Sequence, residues 1–306
     1  MKILVTGGAG FIGSHITDLL IKNNYAVVII DNLSSGKKEN LNSEAKFYQG
    51  DICDLEFLEK VFAKEKPEIV DHHAAQINVR TSLENPQFDA EVNIKGSLNL
   101  LEMSKKYGVK KFIFASTGGA IYGDTDNRPT PENELPKPVS PYGIAKFSVE
   151  NYLHYYNLVW GLNYTALRYS NVYGPRQNPH GEAGVVSIFL EKIKKNETCL
   201  INGNGAQTRD YVFVKDVARA NLMAIESDFV GSLNVGTSKE TSVNELFQTI
   251  AKNLNKKVES SNRDAPKGEQ QTSCLSYAKI QAEFGWEPKV ELGEGIKETL
   301  EFFGVI

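Results

Sequence analysis

The chain has 306 residues, of which 41% are hydrophobic and 24% are charged, and its formal net charge at pH 7 is −4. These values are typical of a folded globular protein and exclude a disordered chain, while the acidic balance argues against nucleic acid or an acidic membrane surface as a partner. No apolar run approaches the ~20 residues that cross a bilayer, and three widely separated cysteines predict neither a disulfide framework nor a metal site: Cys53, Cys199 and Cys274.

The chain opens with the apolar run Met1–Val5, which is too short for the core of a signal peptide, so we expect a cytoplasmic protein. From there to residue 169, short apolar runs alternate with longer segments whose apolar residues recur every three or four positions. The short runs predict the strands Lys2–Val5, Tyr25–Ile30, Ala45–Gln49, Ile69–His72, Lys111–Ser116 and Tyr164–Tyr169. The longer segments predict the helices Ser14–Lys22, Leu55–Glu65, Phe88–Tyr107 and Tyr142–Trp160.

This alternation predicts an α/β fold with a doubly wound parallel (Rossmann) sheet, because consecutive parallel strands need helical crossovers. The pattern changes after Tyr169, where Asn171–Pro175 breaks any regular element and the later elements become shorter. We expect a sheet domain and a smaller, interleaved α/β domain. The first is predicted to be residues 1–169, completed by about 208–236, and the second to be residues 170–207 and 237–306.

The first predicted strand leads directly into a glycine-rich turn with the pattern Gly8-x-Gly10-x-x-Gly13. A turn without side chains lets a pyrophosphate approach the backbone N–H groups at a helix N-terminus. Asp31 ends the second strand, 18 residues beyond Gly13, where a carboxylate accepts the hydroxyls of an adenosine ribose and repels a 2′-phosphate. The pattern therefore predicts NAD rather than NADP. The alternative, a helix cap at Asp31, leaves the glycines without a role.

Tyr142 and Lys146 lie four residues apart at the start of a predicted helix, so they share one face of it. The ammonium group would lower the tyrosine pKa toward the neutral range in which a phenolate acts as a general base. The same spacing recurs at a helix end and in a predicted strand, in Tyr107 with Lys111 and in Tyr211 with Lys215. Neither of those settings brings the two groups together, whereas Tyr142 opens a long helix. The alternative is a solvated pair on a helix surface.

Another predicted strand ends in hydroxyls and glycines at Ser116–Gly119. This is the carboxyl edge of the sheet, where ligands bind in such an architecture. Ser116 or Thr117 is placed to hydrogen-bond a sugar hydroxyl or a developing oxyanion. The alternative is that both hydroxyls only stabilise a turn.

Together these motifs resemble the extended short-chain dehydrogenase/reductases that act on nucleotide sugars, and within them the nucleotide-sugar epimerases. The resemblance runs almost end to end. Besides the glycine-rich turn, it includes Gly50–Ile52, His72–Gln76, Asn93–Gly96, Ser116–Gly123, Tyr142–Lys146, Leu167–Pro175, Arg209–Val214 and Gly285–Pro288.

The resemblance implies an NAD-binding sheet domain and a nucleotide-sugar-binding second domain. It implies C4 epimerisation of a UDP-hexose (UDP-glucose and UDP-galactose) through a 4-keto sugar, with tightly bound NAD. The catalytic residues would be Thr117, Lys146 and, as base, Tyr142. The cofactor would contact Gly7, Gly10, Phe11, Ile12, Gly13, Asp31, Asn32, Ser35, Gly36, Asp51, Ile52, Ala74, Ala75, Asn93, Ser116, Tyr142, Lys146 and Tyr169. The UDP-sugar would contact Thr117, Asn171, Val186, Arg209, Lys267, Glu269 and Ser273.

The chain departs from the family pattern at three positions. The hydroxyl of many relatives falls on Gly118, and we assign its role to Thr117 with Ser116 as its support. Pro266 stands where relatives carry an arginine, and the candidate replacements are Arg263 and Lys267. Ser273 is small and occupies a position that the family uses to gate sugar size, which predicts room for an N-acetylhexosamine.

Other functions within this resemblance stay open. A 4,6-dehydratase would carry an Asp-Glu pair where this chain has Gly118-Gly119. A uronate 4-epimerase or a decarboxylase would need an added cation for the C6 carboxylate. A catalytically silent NAD-binding regulator would lose the tyrosine–lysine pair, which this chain keeps.

Two predicted helices carry more apolar surface than one sheet face covers. Tyr142–Trp160 is apolar or aromatic on nearly all sides, and Phe88–Tyr107 carries Val92, Ile94, Leu98, Leu100 and Leu101. We expect a homodimer in which two such helices from each subunit form a four-helix interface, as the family does. The alternative is that the second domain covers them.

Overall fold

The computed structural model describes residues 1–178, 184–254, 257–265 and 270–306. Its strands are β1 (Lys2–Thr6), β2 (Ala26–Asp31), β3 (Lys46–Gln49), β4 (Ile69–His72), β5 (Lys111–Thr117), β6 (Asn163–Tyr169), β7 (Asn171–Tyr173), β8 (Cys199–Asn202), β9 (Thr208–Arg209), β10 (Tyr211–Phe213), β11 (Gly231–Val235), β12 (Thr241–Ser242) and β13 (Ser260–Arg263). Its α-helices are α1 (Phe11–Lys22), α2 (Leu55–Glu65), α3 (Val79–Glu84), α4 (Pro86–Ala90), α5 (Gly96–Tyr107), α6 (Gly118–Ile121), α7 (Pro141–Trp160), α8 (Val185–Lys194), α9 (Val214–Glu226), α10 (Val243–Lys252), α11 (Ala278–Phe284) and α12 (Leu292–Phe302).

Seven strands form one parallel sheet in the order β11-β6-β5-β4-β1-β2-β3. Strand β1 lies between β2 and β4, so the chain winds outward in both directions from it. A crevice opens at the carboxyl ends of the strands where the winding reverses, which is the place where doubly wound sheets bind ligands. The predicted fold, an α/β protein with a doubly wound parallel sheet, is confirmed.

The predicted strands of the first half all form, with bounds that shift by one residue. The largest shift at a helix start is in α1, which begins at Phe11, three residues before the predicted start at Ser14. The helix predicted over Phe88–Tyr107 forms as one uninterrupted run from Pro86 to Tyr107, but its residues Glu91–Lys95, between α4 and α5, form a π-helical turn that the sequence pattern does not predict. Asn93 within this turn donates to Asp89 and to a carbonyl outside the helix. Such tertiary bonds leave no trace in apolar periodicity.

Apolar side chains cover both faces of the sheet. On one face, the strands pack against α1 and α9 through residues such as Ile3, Ile29, Ile16 and Val217. On the other face, they pack against α2, α5 and α7 through residues such as Leu4, Phe112, Leu58, Leu101 and Val149. Because both faces of the sheet are buried, the sequences of its strands are continuous apolar runs and do not alternate between apolar and polar residues.

A third apolar cluster lies outside the sheet and joins α8, α10 and α12 to the short strands β7, β8 and β10. Its buried members include Tyr173, Phe189, Phe213, Leu246 and Leu300. Meanwhile α9 and β11 return the chain to the large sheet, where β11 pairs with β6. The division into domains at residues 169/170, 207/208 and 236/237 stays a prediction.

Lys111 at the start of β5 is a charged residue that is buried at the end of the large sheet. The residue is 6% exposed and donates to the carbonyl and the hydroxyl of Ser227. Burial lowers the pKa of Lys111 from 10.5 to about 8, with Asp228 acting in the opposite direction. Between those pH values the native state binds fewer protons than the unfolded chain, so the free energy of unfolding rises with pH there.

We expect Lys111→Met to stabilise the protein more at pH 7 than at pH 10, because methionine removes the buried charge. The difference between the two pH values is up to about 3 kcal/mol, which is 2.5 pKa units at 1.36 kcal/mol each. Urea unfolding of variant and parent at both pH values measures it. Lys110→Met is the matched control, since Lys110 is exposed and paired with Glu68. An effect of Lys111→Met that is equal at both pH values would contradict the prediction.

Candidate active site

A cavity of about 400 Å³ opens at the carboxyl ends of the parallel strands. Most of the predicted cofactor residues line it: Gly7, Gly10, Phe11, Ile12, Gly13, Asp31, Asn32, Ser35, Asp51, Ile52, Ala74, Ala75, Ser116, Tyr142, Lys146 and Tyr169. Residues that are far apart in the chain meet here because all the loops at this edge follow parallel strands.

The glycine-rich turn forms one wall of the cavity, and two of its glycines are in close backbone contact. A Cβ on Gly13 would lie 2.4 Å from the Gly7 carbonyl oxygen. Gly7 has a φ of +71°, and a Cβ on it would lie 2.7 Å from the Ala74 nitrogen. The absent side chains leave the N-terminus of α1 facing the cavity, which suits the pyrophosphate of a dinucleotide.

Asp31 closes the opposite side of the turn. Its Oδ2 accepts the Ala9 N–H at 3.0 Å and its Oδ1 accepts the Leu33 N–H at 2.8 Å. Burial raises the pKa of this carboxyl, while the two N–H groups act in the opposite direction. Gly36 packs on it, since a Cβ there would lie 2.9 Å from Oδ1. A carboxylate fixed in this way presents its remaining lone pairs to a ribose diol, so the cavity fits NAD.

Tyr142 and Lys146 project from the first turns of α7. Ser140 caps the helix by accepting the Gly143 N–H, and Pro141 occupies its first position. The Lys146 Nζ donates to the Ala115 carbonyl at 2.9 Å and lies 5.9 Å from the centre of the Tyr142 ring.

Burial lowers the pKa of Lys146 to about 8, with Asp89 acting in the opposite direction. The ammonium form therefore predominates at neutral pH, beside the phenol. The two other tyrosine–lysine spacings do not form such a pair: β10 ends at Phe213, so Lys215 lies in α9, where it pairs with Glu298. The prediction of a strand over Tyr211–Lys215 is wrong beyond Phe213.

The two candidate hydroxyls of β5 have different surroundings. Ser116 is buried and donates its hydroxyl hydrogen to Glu150 Oε1 at 2.5 Å. Thr117 does not line the cavity described above, but its Oγ1 lies 3.9 Å from the position of a Cβ on Gly119. The Asn171 Oδ1 lies 4.0 Å from the same point. Thr117 and Asn171 thus border one space beside Gly119, while Ser116 is committed to Glu150.

The glutamate that holds Ser116 belongs to a buried network. Glu150 accepts Arg168 Nη2 at 2.7 Å and Nε at 3.0 Å, and it also accepts the Ser232 hydroxyl at 2.9 Å. Arg168 donates further to the Tyr122 hydroxyl at 2.7 Å. This network joins α7, the helix that carries Tyr142 and Lys146, to β5, β6 and β11.

The predicted substrate residues lie on several elements: Thr117 on β5, Asn171 on β7, Val186 on α8 and Arg209 on β9. Arg209 donates to the carbonyls of Thr208 at 2.7 Å and Gln270 at 2.8 Å. Val186 lies in the first turn of α8 and is buried. Ser273 is also buried. Lys267 and Glu269, with Pro266, lie outside the described residues.

Some residues of the cavity wall were not among the predicted site residues. His73, Gln76, Asn78, Phe88 and Val92 line the cavity. His73 and Gln76 follow β4 at the same edge of the sheet, and this position could have identified them from the sequence. Phe88 and Val92 reach the cavity because α4 and the π-helical turn lie over it. No local sequence pattern indicates that placement. Asn93 lies behind this wall, where its amide holds both backbone groups of Gln76.

The family model described as the NAD dependent epimerase/dehydratase family matches residues 3–236. The chain belongs to this family. A putative UDP-glucose 4-epimerase of Methanocaldococcus jannaschii is 50% identical over 302 residues, which cover 98% of this chain and 97% of that protein.

Two solved structures are similar over the whole chain. The UDP-glucose 4-epimerase of Thermotoga maritima with UDP-glucose has a TM-score of 0.96 and 53% identity, covering 100% of this chain and 99% of that one. The Thermus thermophilus UDP-glucose 4-epimerase with NAD has a TM-score of 0.95 and 44% identity, covering 99% of both chains. The predictions of the family, of an epimerase-type enzyme and of NAD as its cofactor are confirmed at the level of this NAD dependent epimerase/dehydratase family. Within the part of the chain that the structure describes, no helix is long and apolar enough to cross a membrane.

The close contact of Gly13 with the Gly7 carbonyl predicts the effect of adding a side chain. Because both sides of the contact are backbone, Gly13→Ala must displace the turn, and we expect the NAD that co-purifies to fall at least about tenfold. Nucleotide released from heat-denatured protein and resolved by chromatography measures it. Gly293→Ala is the matched control, since a Cβ there meets only a methyl group of Thr249 at 4.0 Å. Full NAD content in Gly13→Ala would contradict the prediction.

Proposed function

We propose that the chain catalyses NAD-dependent epimerisation at C4 of a UDP-hexose, interconverting UDP-glucose and UDP-galactose. The observation that carries the proposal is the Lys146 ammonium, fixed on the Ala115 carbonyl beside Tyr142 and inside the dinucleotide cavity. End-to-end similarity to UDP-glucose 4-epimerases supports the choice of sugar nucleotide.

In the proposed mechanism, Tyr142 as phenolate removes the proton of the sugar 4-hydroxyl. The neighbouring Lys146 charge stabilises the phenolate, because opposite charges a few ångströms apart favour the ionised form. Thr117 donates a hydrogen bond to the sugar O4, and Ser116 supports the end of β5 through Glu150. Bound NAD supplies the chemistry of accepting the C4 hydride and returning it to the other face of the ring. Tyr142 returns the proton after the 4-keto sugar has turned over.

The UDP group would be held by residues of β7, α8 and β9 while the sugar turns. Arg209 matches two phosphate oxygens with its planar fork of N–H donors. The N-terminus of α8 at Val186 would add backbone N–H groups. Asn171 donates its N–H to the carbonyl of Asp210, next to Arg209, and borders the same space as Thr117. Lys267, Glu269 and the size gate at Ser273 stay predictions, as does the use of N-acetylhexosamines.

Purified protein incubated with UDP-glucose and no added NAD tests the function, with the sugars resolved by NMR. We expect UDP-galactose to appear at a steady ratio. Tyr142→Phe should lower kcat by at least about a hundredfold because the general base is lost. Thr117→Val should lower kcat with full NAD content, since Thr117 lies outside the dinucleotide cavity. Absence of UDP-galactose with the parent protein, despite bound NAD, would refute the proposed function.

We also propose that the enzyme is a homodimer through α7. Its outer face carries exposed apolar side chains at spacings of three, four and eight residues: Ile144, Tyr152, Tyr155 and Val159. No element in the described ranges covers them, and one stripe on each copy lets the two faces pack about a twofold axis. Leu100 and Leu101 of the other predicted helix are fully buried in the chain's own core, while Val92 and Ile94 stay partly exposed. The contribution of this helix to the interface stays a prediction.

Val159→Glu places a charge in this stripe, one helical turn beyond Tyr155, and we expect it to convert the dimer to a monomer. Light scattering coupled to size-exclusion chromatography measures the mass of variant and parent. Phe302→Glu is the matched control, since Phe302 is similarly exposed but lies on α12, which packs with α8 and α10 rather than with α7. A parent protein with monomer mass, or an unchanged dimer in Val159→Glu, would refute the interface. A cytoplasmic location stays a prediction.

A further inference from the structure

The segment Gln270–Ser276 connects the proposed phosphate anchor to the loop that follows β5. We call this segment the strap, and residues Thr117–Gly123 the catalytic loop. At the start of the strap, the Gln270 carbonyl accepts Arg209 Nη2 at 2.8 Å, and the Gln270 side-chain Nε2 donates to the Gly123 carbonyl at 3.0 Å. One residue therefore bonds the anchor with its backbone and the catalytic loop with its side chain.

The far end of the strap repeats this double attachment. Leu275 is 1% exposed and packs against Ile121 and Tyr122 of the catalytic loop. A Cβ on Gly118 would lie 2.3 Å from its Cδ1, so the leucine fills the space that a side chain at position 118 would take. Its backbone N–H donates at 3.1 Å to Asp210, the residue next to Arg209.

Asp210 is itself held in place by hydrogen bonds, so it fixes the end of the strap beside Arg209. It is fully buried, and its carboxylate accepts the backbone N–H and the hydroxyl of Thr237 in addition to the Leu275 N–H. Arg209 has five N–H donors, of which the carbonyls of Thr208 and Gln270 take two. The remaining donors can meet a diphosphate without releasing the strap.

We propose that the strap sets the distance between the UDP anchor and the catalytic loop, with Gln270 and Leu275 as positioning residues for the epimerisation. This inference rests on the proposed function. The sugar turns over while its UDP stays fixed. The Thr117 hydroxyl and the Tyr142 phenolate must therefore keep the same position relative to the UDP anchor, whichever face of the sugar ring reacts. Misplacement of reacting groups by 1 Å costs about a hundredfold in rate, and the strap is the direct bonded connection that holds this spacing.

Gln270→Glu tests the coupling with little change of shape. The Gln270 carbonyl still accepts from Arg209, but a carboxylate oxygen replaces the donor that faces the Gly123 carbonyl. We expect kcat for UDP-glucose to fall at least tenfold. The KM and the Kd for UDP should stay within twofold of the parent values, and the melting temperature within 2 °C. Gln281→Glu, the same change on an exposed position of α11, is the control and should leave all four quantities unchanged.

A second readout does not depend on turnover. In the parent protein, we expect UDP to slow amide hydrogen exchange in the peptide that covers the catalytic loop, and in Gln270→Glu we expect that protection to be lost although UDP still binds. An unchanged kcat, or equal protection of the catalytic loop by UDP in both proteins, would overturn the inference. Failure of the proposed function looks different, because the parent itself would then leave UDP-glucose unconverted.

Discussion

The buried ion pair between Glu150 and Arg168 is the interaction on which the catalytic side of the molecule depends. It ties α7 to β6 and, through Ser116 and Ser232, to β5 and β11. Two charges inside a protein need each other, and removing one partner of such a pair costs about 3–5 kcal/mol. The position of Lys146 over the end of β5 follows from this attachment, because the helix that carries it cannot slide or rotate while Glu150 is held from three strands.

The charges at the site differ in sign from the net charge of the whole chain. The protein is acidic overall, with a net charge of −4, yet positive potential is concentrated where anions are expected. The N-terminus of α1, Lys146 and Arg209 face the proposed path of two diphosphate groups. Asp31 and Asp51 are acidic residues of the same cavity, and Asp31 lies where a neutral ribose would dock. Local geometry rather than composition therefore makes an acidic protein suitable for two negatively charged nucleotides.

The catalytic loop depends on distant parts of the chain for its position. It has only the single short helix α6, and its glycines provide no packing of their own. Leu275 fills the space beside Gly118, and Gln270 bonds Gly123, although both come from a segment about 150 positions later. Residues of the strap thus complete a loop that follows a strand of the large sheet. This arrangement makes the relative placement of the two nucleotide sites a property of the whole fold.

The amino-acid sequence by itself determined the parallel sheet, the dinucleotide turn and the Tyr142–Lys146 pair, because each depends on short-range spacing and on the common edge at which parallel strands end. Only the tertiary structure decided which hydroxyl of β5 is free, since the commitment of Ser116 to Glu150 joins residues 34 positions apart. It also decided that Leu100 is core while Tyr155 is exposed, and that a π-helical turn forms within the helix over the cavity. Such outcomes follow from long-range hydrogen bonds and packing, which the period of a helix does not encode.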